Sequence, residues 1–135
     1  MIAAKLASYG WVALGSALGG MSRYWLGGVV ARGIGDDFPY GTLLINVVGS
    51  FVIGFFGTLT LPDGPRPASL DTRLFVMVGL CGGFTTFSSF SLQTFELLRA
   101  GENIRAGIYI AASVLLCLLG TVLGHALASG ISSRA

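Results

Sequence analysis

Four long apolar stretches, separated by short polar connections, make this chain of 135 residues a bundle of membrane helices. A helix crosses a bilayer with about 20 predominantly apolar residues. The stretches run over about 8–30, 41–61, 73–98 and 104–129, and Pro62 stops the second. Each is expected to be helical, because lipid gives backbone N–H and C=O groups no other partner. Only 10% of the residues are charged, against about 25% in a typical soluble domain. Most of the outer surface is therefore expected to meet lipid.

The connections at 31–40, 62–72 and 99–103 hold no soluble domain. Residues 1–135 therefore read as one all-α transmembrane domain with four helices and both termini on one side. The first stretch is too long for a cleavable signal peptide, and three more follow it. A net charge of +2 is too small for a nucleic-acid binder. Cys81 and Cys117 lie inside apolar stretches without metal-ligand spacing and read as packing residues.

Lys and Arg bias normally sets orientation. One side carries Lys5, Arg66, Arg73 and Arg134; the other carries Arg23, Arg32, Arg99 and Arg105. So even a balance leaves two readings open: a weak residual bias, or insertion both ways with pairing as an antiparallel dimer. Four helices are also few to enclose a pore, which favours an oligomer. Gly15 with Gly19, and Ser50 with Gly54, are small-residue pairs that let helices approach closely.

Polar groups at membrane depth are costly, so each needs a reason. Thr42, Asn46 and Gly49 share a helical face; Asn46 reads either as an interhelical hydrogen bond or as a donor lining a path. Arg23 reads either as a snorkelling side chain anchored beside Tyr24 and Trp25 or as part of an electropositive vestibule. The third stretch is the unusual one. After an ordinary apolar start come Gly82-Gly83 and then hydroxyl residues at 85, 86, 88, 89 and 91. Adjacent glycines weaken a helix, and hydroxyls re-satisfy freed backbone, so a break is expected near 82–86. Such breaks occur where backbone is buried in protein or lines a cavity, and their carbonyls are typical cation ligands. Beyond the break, Phe87 and Phe90 share a face with Ser91 and Thr94, and Ser88 shares one with Ser91 and Phe95. In the fourth stretch Tyr109 and Ser113 share a face, Thr121 follows two turns on, and His125 reads as interfacial.

This set contains no nucleophile, base and acid grouping, and no acidic residue in the apolar core of a stretch, so no enzyme is read here. What remains is an amide, several hydroxyls and aromatic ring edges, which carry partial positive charge. Such groups suit a small anion that must shed water. Conduction needs binding that is favourable but weak, and no buried cluster of basic residues is present to hold an anion tightly.

The segment Gly82-Gly-Phe-Thr-Thr-Phe-Ser-Ser-Phe-Ser91 resembles the signature of the Fluc fluoride channels, also called CrcB proteins. Gly19-Gly-Met-Ser-Arg-Tyr24, Gly41-Thr-Leu-Leu-Ile-Asn46 through Phe51, and the Tyr109/Ser113 pair resemble the family's other motifs, so the likeness covers nearly the whole chain. It departs mildly at Ser89, where threonine is common, and at Phe84, where leucine is common. The resemblance implies an antiparallel, dual-topology homodimer in the inner membrane, with two fluoride pores that drain cytoplasmic fluoride passively. It implies that Asn46, Phe87 and Phe90 contact fluoride, with Tyr109, Ser113 and Ser88 on the polar side of the path. It implies a structural sodium ion at the dimer interface, held by backbone carbonyls of Gly82 and Thr85. Arg23 matches the family arginine. Two rival classes share the size: a small dual-topology multidrug exporter, which needs an embedded glutamate not found before Glu96, and a non-transporting structural membrane protein, which needs no polar path.

Overall fold

The computed structural model describes residues 2–132, with side chains for 6–131, so Arg134 and the side chain of Lys5 lie outside the description. The described residues form helices joined by short non-helical connections, without a strand. Helix α1 spans Ile2–Ile34 and α2 spans Tyr40–Leu59. The third column is composite: α3 (Leu70–Arg73), a π-helical segment (Leu74–Cys81), α4 (Gly82–Phe84) and α5 (Phe87–Arg99). Helix α6 spans Asn103–Ser132.

Three columns, Tyr40–Leu59, Leu70–Arg99 and Asn103–Ile131, are long and apolar enough to cross a membrane. Helix α1, at 33 residues, has the length but not the apolarity, because glycines, serines, Arg23 and interfacial aromatics dilute its aliphatic residues. The outward faces are apolar. Leu115, Leu118, Val122, Leu123 and Leu127 of α6 are all more than half exposed, a surface that a soluble monomer does not carry.

Small residues set the packing. The most extensive pairing is α2 with α6: Gly54 lies against the Thr121 backbone, and Gly124 against Phe51. Thr121 Oγ1 adds a bond of 3.2 Å to the Ser50 carbonyl. Helix α1 packs on the π segment and α4, with Gly15 beside Phe75 and Gly79, and Gly19 beside Leu80. Both small-residue pairs thus sit at helix contacts, where backbone approach gains van der Waals packing.

The third column departs from expectation in its first part, which is not ordinary α-helix but a π-helical run, a rare form found mostly as short bulges and frequently near functional sites. The break falls at Thr85–Thr86, within the expected 82–86 and just after the glycine pair: Gly82 keeps helical angles, while Thr85 (ψ 158°) and Thr86 (φ −152°, ψ 109°) are extended. Gly83 also serves packing, since a Cβ on it would lie 2.5 Å from the Ser16 carbonyl oxygen. Gly83→Val therefore prevents α1 from docking. Overpacking of this kind costs about 1–3 kcal/mol or more, and the expected result is loss of a monodisperse gel-filtration peak in detergent.

The expected tight turn at 99–103 is a glycine-terminated helix end. Gly101 has φ +78°, and the Glu102 amide bonds back to the Leu97 carbonyl at 2.9 Å. It sets α5 and α6 side by side and brings Tyr109 against α5.

Candidate functional site

Two side chains bond the backbone at the break, Asn46 from α2 and Thr86 itself. In a continuous helix the Thr86 amide would bond to the Gly82 carbonyl; here it donates to Asn46 Oδ1 at 2.8 Å. Asn46 Nδ2 in turn donates to the Thr86 carbonyl at 3.1 Å. The carboxamide thus pairs with one residue's N–H and C=O together, which fixes its orientation and leaves its second N–H uncommitted. Of the two sequence readings of Asn46, the interhelical bond is present, and the residual donor keeps the other available.

Thr86 then starts α5. Its Oγ1 accepts from the Ser89 amide at 3.1 Å, an N-cap, and donates to Ser89 Oγ at 3.0 Å. The Ser89 amide would otherwise have closed on the Thr85 carbonyl. The carbonyls of Gly82 and Thr85 are therefore among those released from helical bonding at the break.

Two cavities meet at this clasp, and Thr86 lines both. One, about 430 Å³, is walled by Asn46, Gly82, Thr85, Phe87, Phe90 and Ser113 among others. Ser113 is 6% exposed, and its Oγ is the one buried side-chain polar atom without a partner among the described residues. The other, about 850 Å³, is lined by Arg23, Arg32, Thr42, Ser89, Gln93 and Glu96 among others. Arg23 lines this cavity, but Asp36, Asp37, Glu96 and Glu102 line it too, so its charge is mixed.

Aromatic rings run from one cavity to the other. Phe87, 79% exposed, lies 5.3 Å from Phe90 between centroids, and Phe90 lies 5.2 Å from Tyr109. Tyr109 is fully buried and donates its hydroxyl to Gln93 Oε1 at 2.9 Å. The structure therefore gathers Asn46, Phe87, Phe90 and Ser113 around one cavity with Gly82 and Thr85, and sets Tyr109 behind Phe90. Ser88 stands apart: exposed, it reaches Thr86 Oγ1 at 3.2 Å and lines neither cavity. Sequence reasoning passed over Gln93 and Phe38. Gln93 lies one helical turn beyond Phe90 on the hydroxyl-rich helix, a spacing that could have found it; Phe38 is in a loop and carries no periodic signal.

Ser113→Ala removes a buried, unpaired hydroxyl, so the folded state is expected to be unchanged or slightly more stable. Melting in detergent checks this.

An apolar helical exterior, an interior lined by amide, hydroxyl and ring-edge groups, and charges at the helix ends define a multi-pass helical membrane protein. The chain belongs to the CrcB family: the sequence profile described as CrcB-like protein, Camphor Resistance (CrcB), matches residues 10–125. Similar proteins include the fluoride-specific ion channel FluC of Methylocella silvestris, 60% identical over 92% of this chain and 95% of that protein. The FluC of Opitutus terrae is 54% identical over 93% of this chain and 95% of its own. The FluC of Methylobacterium radiotolerans is 56% identical over 87% and 82%.

Proposed function

We propose that this chain is the subunit of a fluoride-selective channel that lets cytoplasmic fluoride leave passively. The observation that carries the reading is the unpartnered Ser113 hydroxyl in a cavity shared with the Asn46 amide and two phenyl rings. Unpaired buried donors need a partner, and an anion supplies one. A small, strongly hydrated anion gives up water only if donors replace it, and ring edges add positive potential without binding tightly. The relatives bearing the name fluoride-specific ion channel support the choice of ion. With an inside-negative potential, anions flow outward without ATP.

The working unit is an antiparallel homodimer of four-span subunits in the inner membrane, with two pores. Helix α1 is the fourth span, its polar dilution met by the packing of its glycines on the third column. The four-against-four charge balance supports insertion both ways. Exposure of Phe87, which lines the cavity, supports a second copy that covers it.

Sodium fits the released carbonyls. Hard monovalent cations take oxygen ligands, and Gly82 and Thr85 each present a carbonyl freed by the Asn46 clasp and the Thr86 cap. Two carbonyls are too few alone, so the ion would be held between the breaks of two copies. When bound it supplies a fixed positive charge that fastens those breaks together. Arg23 draws anions into the larger cavity, which serves as the mouth, and Asn46, Phe87, Phe90 and Ser113 pass them through the membrane, with Tyr109 setting the Phe90 ring and Ser88 contributing a hydroxyl beside the cap.

Expression in a bacterium lacking its own fluoride export tests the reading. Growth in millimolar-range fluoride at acidic pH, where neutral HF enters cells and ionises inside, is restored by this chain. Failure to restore growth, with the protein present in the membrane, contradicts it.

A further inference from the structure

The ring series does not stop at Tyr109. Phe38, from the connection between α1 and α2, meets the Tyr109 ring edge-on at 5.5 Å and 80°, and stacks at a tilt against Tyr40 at 4.8 Å. The loop that presents it is rigid by sequence. Gly35, at φ +94°, ends α1 with its amide bonded to the Ala31 carbonyl. Pro39 (φ −76°, ψ 55°) lies at the centre of a tight turn closed by the Tyr40 amide on the Phe38 carbonyl at 2.7 Å. That geometry is an inverse γ-turn, and a residue before proline is itself confined to extended angles. Phe38 is thus held at the mouth with little freedom of its own.

On its other side, the Tyr109 hydroxyl donates to Gln93 Oε1. A carboxamide whose oxygen is occupied in this way keeps its NH₂ as the free end, and Gln93 lines the mouth one turn above Phe90. Phe38, Tyr109 and Gln93 therefore form a chain from a fixed loop to a mouth-facing donor. We propose that Phe38 is a positioning residue for anion entry: through Tyr109 it keeps the Gln93 NH₂ turned toward the mouth, where it offers an anion its first donor between Arg23 and the Phe90 ring. This rests on the channel reading above.

A double-mutant cycle tests it. Flux of fluoride from proteoliposomes is measured for wild type, Phe38→Ala, Tyr109→Phe and the double variant, with Phe38→Tyr as the conservative control. An edge-on aromatic contact of this kind is worth a change of about three- to tenfold. Phe38→Ala therefore lowers flux by about three- to tenfold, Phe38→Tyr retains it, and Phe38→Ala adds nothing once Tyr109→Phe has removed the hydroxyl. Neighbours acting through one route are non-additive in this way, whereas effects that reach flux by separate routes add. If Phe38→Ala does not assemble, Phe38→Leu takes its place in the same cycle. Additive effects, or unchanged flux in the alanine or leucine variant, overturn the inference while leaving the channel reading intact. Absence of fluoride flux from assembled wild type overturns the channel reading itself, and this inference with it.

Discussion

Phe90→Ile lowers fluoride efflux by about two orders of magnitude, and Phe87→Ile does the same, while both variants still assemble. The effect is electrostatic. An anion at bilayer mid-depth has lost most of its water, and the groups that replace that water act in a low-dielectric setting. Removing one preorganised partner from such a site typically costs about 10²–10³ in rate. Isoleucine fills much of the phenyl volume but has no quadrupole, so packing survives while the positive ring edge is lost. Phe87 is 79% exposed in the single chain, so its replacement changes the subunit fold little. Phe90 leans on Phe87 and Tyr109 at 5.3 and 5.2 Å, which fixes its ring against the cavity. Gel filtration and fluoride efflux on the same preparation check the prediction. Flux at the wild-type level from an assembled variant removes that ring from the path.

Asn46 fails in two different ways depending on the replacement. Asn46→Leu has similar shape but leaves the Thr86 N–H and C=O without their clasp. Each unpaired buried backbone group costs about 1–3 kcal/mol, and more in lipid, where water cannot repair it. The expected outcome is a drop in thermal stability large enough to deplete the folded population. Asn46→Asp is the contrasting variant. Its carboxylate still accepts from the Thr86 amide, but it cannot donate to the Thr86 carbonyl, and its charge repels an anion in the cavity. It folds with reduced stability and conducts no fluoride. Melting curves and flux, read together, distinguish the two. A leucine variant that melts like wild type would show that the break holds without Asn46.

Much of the architecture was legible because lipid removes choices. Apolar length alone marked the second, third and fourth columns, with ends up to three residues off, and the Gly15/Gly19 and Ser50/Gly54 spacings marked helix contacts. The π-helical run at Leu74–Cys81 was not legible, since an apolar π segment and an apolar α segment have the same composition. The break was anticipated within 82–86, and so were hydroxyls that re-satisfy its backbone, as Thr86 does for the Ser89 amide; the bond from the Asn46 side chain on another helix was not. No scan of the third stretch alone can see a bond from Asn46 to a residue 40 positions away. The ring and hydroxyl pattern at 87–91 was informative because it is unusual for a lipid-facing helix. Phe38 and Gln93 were missed for the converse reason: a single loop aromatic and a single amide look ordinary until topology sets them on either side of Tyr109.

The central claim is selective fluoride conduction, and efflux from liposomes tests it most directly. Purified protein is reconstituted into vesicles loaded with fluoride, potassium is allowed to leave through an ionophore, and fluoride release is followed with an ion-selective electrode, with chloride-loaded vesicles in parallel. Rapid fluoride release without chloride release is the predicted result. Retention of fluoride by vesicles that contain assembled protein, or equal release of both ions, would contradict the account.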